Sequence, residues 1–441
     1  MEGFVKMGRG SFGIFCKMAA FLVAGAGCDD GGENASAGMK EVRSELARET
    51  SEISRQDLDA VVIGQYDLAL DVLRHGAEQI GGKNAMVSAL SLQSALAMVW
   101  AGANGRTASE MASALHFGDS SHAALNKIDA VLTARNLEPQ KWEDGTLEYD
   151  ATIVRNANAV YGSNRHTWKP AWLDILARNY GAGIRTMDFG RPEEARLYIN
   201  RQVSEVTAGR IPELIPQGAV TVSTELVLTN AIYFKAAWND HFERFASVMP
   251  FTLGDGERKK VEYVGTQAPF PQYKGEKFRA VSVPLRSHDF NVLFVLPDAG
   301  QFEAVESGLT GDVVFDVVTH VMPSEILDFR VPSLEFETSL VMRDMLKALG
   351  MPQAFSSEAD FSGMIVESNG LVLSEVFHKT YFGLDETGVE AAAATAAVMD
   401  EGASPEEPVP FVLNRPFFFV VYESETLSPL FFGRVLDPTL K

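Results

Sequence analysis

Cysteine is nearly absent: only Cys16 and Cys28 occur, both near the N-terminus. Cleavage of an export signal before Cys28 would remove Cys16, so the remaining chain has no pair to oxidise and does not rest on a disulfide. Zinc sites of the Cys-x-x-Cys type are excluded with it. Long apolar runs are missing too, since no stretch reaches the roughly eighteen residues of a membrane-spanning helix. Basic residues are the minority, 38 Lys and Arg against 59 Asp and Glu, for a formal charge of −21. Such a surface repels phosphate backbones and argues against nucleic acid as a partner.

Catalytic motifs are also lacking. There is no Gly-x-Ser-x-Gly elbow, no His-Glu-x-x-His helix and no phosphate-binding loop with its Lys and hydroxyl. Gly81-Gly82-Lys83-Asn84 lacks the upstream glycine and the hydroxyl after the lysine, so it reads as a turn. None of the eight histidines sits four residues from another, which leaves no two-point metal face. No cofactor, no metal and no catalytic residue is expected, and the chain is expected not to be an enzyme. His378, after an apolar strand pattern, reads by itself as a structural histidine.

Hydrophobic residues make up 46% of the chain, enough for a sizeable core. Lys6, Arg9 and Lys17 precede the apolar run 18–27, which ends at Cys28. A basic start, a short apolar segment and small residues before a cut predict an export signal over 1–27. The small residues before Cys28 also resemble a bacterial lipoprotein cleavage box, although Gly25 stands where that box usually has Leu. This predicts a secreted, cell-surface or periplasmic protein, lipid-anchored at Cys28. Residues 28–57 are rich in Gly, Ser, Ala and charge and read as a flexible tether.

From about residue 58 a single domain is expected. Val61, Val62, Tyr66, Leu68, Ala69, Val72 and Leu73 share a helical face over Leu58 to Gln79. Ser91–Trp100 reads as a second helix, and Thr107 with Glu110 as a capping box opening a third. Glu225–Trp238 is apolar on both faces, as a central covered strand would be. Ala280–Leu285 with Phe290–Pro297, and the runs from Phe411, Pro416 and Pro429, are further strands. Helices come early and strands late, without a βαβ rhythm, so the class is α+β.

The informative segment is Leu384–Pro405, with four consecutive alanines at 391–394. Propensity alone favours a helix there. A long strand pattern before it and the Pro- and Glu-rich stretch 403–410 after it argue for an exposed loop instead. Glu386-Thr-Gly-Val-Glu-Ala-Ala-Ala-Ala-Thr395 resembles the serpin hinge. Asn414-Arg-Pro-Phe-Phe-Phe-Val-Val-Tyr422 and Ser428–Pro438 resemble the serpin C-terminal signature, and Asn230–Trp238 the strand beneath the point of loop entry. Ser88, Ser91, Asn230 and His378 fall where the family keeps a polar cluster behind its main sheet, grouped with Trp238 as a sheet-opening cluster. Asp188-Phe-Gly, Asn200, Gly209-Arg-Ile and Asp360-Phe-Ser-Gly also occur in order. The resemblance covers about 58 to 438.

It implies several helices packed on a large mixed β-sheet, with smaller sheets and an exposed reactive-centre loop at about 386–410. It also implies suicide inhibition of a protease: cleavage of the loop forms an acyl-enzyme, and the freed loop inserts into the sheet and deforms the attached enzyme. Loop insertion of this kind is a known form of strand addition that releases stored strain. The mechanism comes from the family resemblance and not from the residues themselves.

The residues suit that path. In an extended strand Val389, Ala391, Ala393, Thr395, Ala397 and Met399 share one face, and none is charged. On the other face Glu390, Ala392, Ala394, Ala396, Val398 and Asp400 carry charge only at the ends. If about eleven residues gain cross-strand pairs at ~0.2–1 kcal/mol each, pairing contributes roughly 2–10 kcal/mol. By the family's count from Glu386 the reactive bond lies between Gly402 and Ala403, with Glu401 and Met399 as alternatives. No Arg or Lys lies between Lys379 and Arg415, which disfavours trypsin-like targets. The implied partner is a serine protease, elastase-like or glutamate-specific, with a cysteine protease as the alternative, and the inhibitor is expected to be a monomer. The competing reading is a non-inhibitory serpin-like binding or structural surface protein.

Ala391→Arg places a charge on the face that must enter the core. The variant is expected to be cleaved as a substrate without trapping the protease; stable complexes at the wild-type yield on denaturing gels would contradict this.

Overall fold

The computed structural model describes residues 39–50, 52–142, 145–323, 325–367, 370–389 and 407–440. The first long helix runs Arg55–His75, starting three residues before the expected Leu58, because Ser54 caps it. The Ser54 hydroxyl accepts the Asp57 amide at 3.1 Å, and Asp57 adds a favourable charge to the first turn. A second helix, Ala89–Trp100, is capped by Ser88, whose Oγ accepts the Ser91 amide. The third, Gly105–Ala114, departs from the expected capping box. Asn104 occupies the N-cap, the Thr107 hydroxyl accepts the Asp360 amide at 2.9 Å, and Glu110, besides holding Arg106 of its own helix, accepts the Gln353 amide at 2.9 Å. Tertiary partners took both side chains that the local motif would have used.

The largest sheet is mixed. Among the described residues, eight strands run in the order Lys40–Val42, Ile184–Met187, Ala159–Ser163, Leu226–Asn230, Glu375–Asp385, Gly388–Val389, Ile232–Ala237 and Ile153–Asn156. Leu334–Val341 pairs with the other edge of Glu375–Asp385. The expected single strand over 225–238 is interrupted at Ala231, whose carbonyl accepts the Ala157 amide at 2.8 Å. The expected long strand from Gly370 begins only at Glu375.

A six-stranded sheet runs Gln272–Lys274, Phe278–Pro284, Phe290–Pro297, Phe417–Glu423, Pro429–Val435 and Ala85–Val87. A four-stranded sheet runs Glu243–Arg244, Tyr263–Ala268, Leu327–Pro332 and Val409–Val412. Gly81 and Gly82, both at positive φ, make the turn before Ala85, and the Asn84 side chain accepts the Leu436 and Asp437 amides.

Side-chain alternation divides the main sheet between two cores. Leu226, Leu228 and Val376 join the principal core with the first two helices and the six-stranded sheet. Val227 and Phe377 point the other way, into a smaller core with Ile199 and Val203 of the Pro192–Val206 helix. All of Leu226–Asn230 is buried, as a centrally placed strand with two covered faces requires. The Met86 amide donates to Thr338 Oγ1 and its carbonyl accepts from Thr380 Oγ1, both at 2.9 Å. Main-sheet side chains thus satisfy the free edge of Ala85–Val87 at Met86, where the two sheets meet.

The flexible tether expected over 28–57 does not hold for its described part. Lys40–Val42 adds an antiparallel strand to Ile184–Met187, and residues 43–50 run on along the Ser121–Ala134 and Pro170–Tyr180 helices. Polar composition suggested solvation, but these polar groups find partners on the body.

Candidate functional site

The site is a fork in the main sheet. At one end Glu375–His378 pairs in parallel with Val227–Asn230. Further along, Gly388 and Val389 lie between the same two chain paths. They pair antiparallel with Asp385 and Leu384 on one side and with Ala237 and Ala236 on the other. Paths that touch at one end are therefore separated by a whole strand at the other, an added spacing of about 4.8 Å.

The turn that sends the chain into the fork is Asp385-Glu386-Thr387-Gly388. Asp385 Oδ1 accepts both the amide and the hydroxyl of Thr387. Gly388 has φ +148°, and a Cβ there would overlap the Ala236 carbonyl oxygen and crowd the Ala237 Cα. Only glycine lets the backbone pass this close to its neighbour. Val389 is 1% exposed and belongs to the principal core.

Two further groups hold the turn. The Trp238 indole N–H donates to the Asp385 carbonyl at 2.8 Å, its backbone amide donates to the Thr387 carbonyl at 3.2 Å, and its ring stacks on Phe242. Arg244 donates to Glu386 Oε2 at 2.7 and 3.1 Å and also pairs with Glu262. Partial burial opposes ionisation of Glu386, but the Arg244 hydrogen bonds and the residue's own amide outweigh it and hold its carboxyl below the usual range.

Where the two paths still touch, a buried polar chain crosses the seam. His378 Nε2 accepts the Ser88 amide at 3.2 Å, so Nδ1 carries the proton and donates to Asn230 Oδ1 at 2.5 Å. The Asn230 amide donates to Ser91 Oγ at 2.8 Å and to Asn158 Oδ1 at 3.2 Å, and the Ser91 hydroxyl donates to Asn158 Oδ1 at 2.7 Å. Burial pushes His378 down to about 3 and keeps it neutral.

The structure brings Ser88, Ser91, Asn230 and His378 together but places Trp238 apart from them, at the turn beside Glu386, Gly388 and Val389. Glu390, Ala391, Ala392, Ala393, Ala394 and Thr395 lie outside the described residues. So do the reactive-bond candidates Met399, Glu401, Gly402 and Ala403, and the lipidation candidate Cys28. Val409–Val412 pairs in parallel with Leu327–Arg330 in the four-stranded sheet. Sequence reasoning missed Asn158, Arg244 and Glu262. The closely spaced Asn156 and Asn158 between apolar strand patterns were a usable hint for the first; Arg244 and Glu262 carry no local signal, because Arg244 meets Glu386 only through tertiary packing and Glu262 through Arg244.

The similarities to known proteins agree with this architecture. The family model described as Serpin (serine protease inhibitor) matches residues 64–438. The chain belongs to the serpins. It is 34% identical over 365 residues to a leukocyte elastase inhibitor of Xenopus laevis, covering 80% of this chain and 93% of that one. It is likewise 34% identical to a leukocyte elastase inhibitor of Bos taurus, covering 84% and 97%. An uncharacterized serpin-like protein of Thermococcus kodakarensis is 32% identical over 360 residues, covering 80% and 81%. Among solved structures, the thermophilic serpin tengpin in its native state superposes with a TM-score of 0.74 at 22% identity, covering 90% of this chain and 100% of that one. Uncleaved ovalbumin gives 0.72 at 24%, covering 86% and 100%. At those identities the structures support the fold alone, which is the serpin fold. The family is one of protease inhibitors, not of catalysts.

The geometry of this serpin's fork makes two variants informative. Gly388→Ala is expected to expel Val389 from the sheet, exposing its amide to hydrogen exchange and costing about 1–3 kcal/mol in urea unfolding; retained protection would contradict the overlap. His378 has a folded pKa near 3 against an unfolded value of about 6.5. Between these values only the unfolded chain takes up the proton, so the stabilisation is complete above pH 6.5 and is lost as pH falls toward 3. The gap in urea midpoint between wild type and His378→Asn should therefore narrow from pH 7 to pH 4.5; a constant gap would mean His378 does not resist protonation.

Proposed function

We propose that this serpin is a suicide-substrate inhibitor of serine endopeptidases. The observation that carries the reading is the placement of Gly388 and Val389 between Leu384–Asp385 and Ala236–Ala237. The first residues of the loop already occupy the position of an inserting strand. Beyond Glu390 the sequence continues as a run of small residues with an uncharged inward face. Each further pair of residues entering the fork would gain ladder hydrogen bonds and bury methyl groups. Val389 contributes its isopropyl group to the same face that Ala391, Ala393 and Thr395 would extend.

Trapping requires that insertion outrun hydrolysis of the acyl-enzyme. Insertion must break the four-residue ladder between Glu375–His378 and Val227–Asn230, together with the His378–Asn230 hydrogen bond. His378 is neutral, so no ion pair has to be separated in a buried site, which keeps this barrier low. Separation would otherwise leave a desolvated charge.

An elastase-like protease is the favoured target. Gly402 and Ala403 suit a shallow specificity pocket, and the similar relatives include proteins named leukocyte elastase inhibitors. A glutamate-specific protease is the target if the bond follows Glu401, and a cysteine protease can form the analogous acyl-enzyme. The N-terminal pattern supports an exported, bacterial-type serpin, lipid-anchored at Cys28 and acting outside the cytoplasm as a monomer.

Incubation with elastase-, subtilisin-, chymotrypsin-, trypsin- and glutamate-specific proteases tests the proposal. Denaturing electrophoresis should show a band at the summed mass with one of them, and mass spectrometry a cut within 399–405. Loop cleavage by the panel with no covalent complex would overturn the inhibitory reading.

A further inference from the structure

We infer that residues 39–50 form a strap that restrains the opening of the main sheet. Parting the seam at His378–Asn230 would have to displace Leu226–Ala237, and the strands paired beyond it, relative to the helices behind them. The strap is bonded to both sides of that sliding boundary.

On the sheet side, Lys40, Glu41 and Val42 pair with Thr186, Arg185 and Ile184, and the Thr186 hydroxyl donates to the Lys40 carbonyl at 2.9 Å. Gly183 lets the strap leave the strand: a Cβ there would overlap Arg43 Cβ and the Val42 carbonyl. On the helix side, the Ser44 hydroxyl donates to Asp174 Oδ1 at 2.6 Å, and the Glu49 amide to the Arg178 carbonyl at 2.9 Å. Arg48 makes the densest contact. Its Nε donates to Asn126 Oδ1 at 2.7 Å, its Nη2 to the Asn126 carbonyl at 3.1 Å, and its Nη1 pairs with Asp129. The Asn126 amide returns a bond to the Glu49 carbonyl at 2.7 Å.

Asp129 extends this grip toward the seam. Its other oxygen accepts from Asn156 Nδ2 at 2.9 Å, and Asn156 stands in register with Ile232. Two residues on, Asn158 bonds Asn230 and Ser91 in the chain that ends on His378. Sliding the strands over the Ser121–Ala134 helix would therefore stretch the Asp129–Asn156 bond, while the strap holds the far edge strand to the same helix. Neither end of the strap can move with both bodies. The Arg48–Asp129 pair is only partly exposed, at 29% and 33%, so it is less screened than a surface ion pair.

The consequence for inhibition rests on the proposed function, but the restraint itself is read without protease. Two full-length variants test it: Arg48→Ala, and Val42→Pro combined with Gly183→Val. Hydrogen exchange is monitored at the strap amides and at the seam amides of Val376–His378 and Leu228–Asn230. The strap should lose protection in the second variant, and seam exchange should rise at least tenfold in both. Loss of strap protection with seam exchange unchanged would overturn the inference. Strap protection persisting in the combined variant would overturn it equally, since the contacts named here would not be what holds the segment. Absence of a covalent complex in the wild type, by contrast, would count against the inhibitory reading alone.

Discussion

The central constraint is the seam between Glu375–His378 and Val227–Asn230. It lies in the buried middle of the sheet, and one hydrogen bond, His378 to Asn230, joins side chains across it. Because Nε2 is occupied by the Ser88 amide, the imidazole can offer Asn230 only its Nδ1 proton, and the ring must remain neutral. The seam therefore combines two properties that seldom coexist. It is specific, since the chain from the Ser88 amide through His378 and Asn230 to Ser91 and Asn158 has a fixed order, and it can part without stranding a charge.

The rest of the molecule is arranged around that line. The Ala89–Trp100 helix delivers Ser88 and Ser91 to it, and Thr338 and Thr380 bind the edge of Ala85–Val87 alongside it. At the other end of the fork, Trp238, Arg244 and the Asp385–Gly388 turn hold the chain in the act of entering the sheet. The N-terminal strap spans sheet and helices on the far edge. On the proposed inhibitory reading, opening the sheet would exchange four ladder residues and one side-chain bond for a longer ladder.

Much of this was legible in the residue order. The alternation of uncharged small residues from Val389 onward, the apolar faces of 225–238 and the hinge-like Glu386-Thr-Gly-Val-Glu motif are local patterns, and local patterns survive in a linear sequence. The capping box at Thr107 misled because its side chains had better partners elsewhere. Residues 39–50 misled because polar composition records solubility in water and says nothing of whether a matching polar surface lies nearby. Arg244 was invisible because its partner is far away in sequence.

The sequence by itself determined the α+β class, the absence of cysteine after residue 28 and the uncharged alternating pattern of small residues after Gly388, since these depend on residue type and on a period of two. Only the tertiary structure decided that His378 is neutral, that Gly388 rather than another small residue is required, that Trp238 belongs with the turn and not with the seam, and that the N-terminal segment is bound. Each of those depends on which long-range groups come within hydrogen-bond or van der Waals distance, and that proximity is a property of packing.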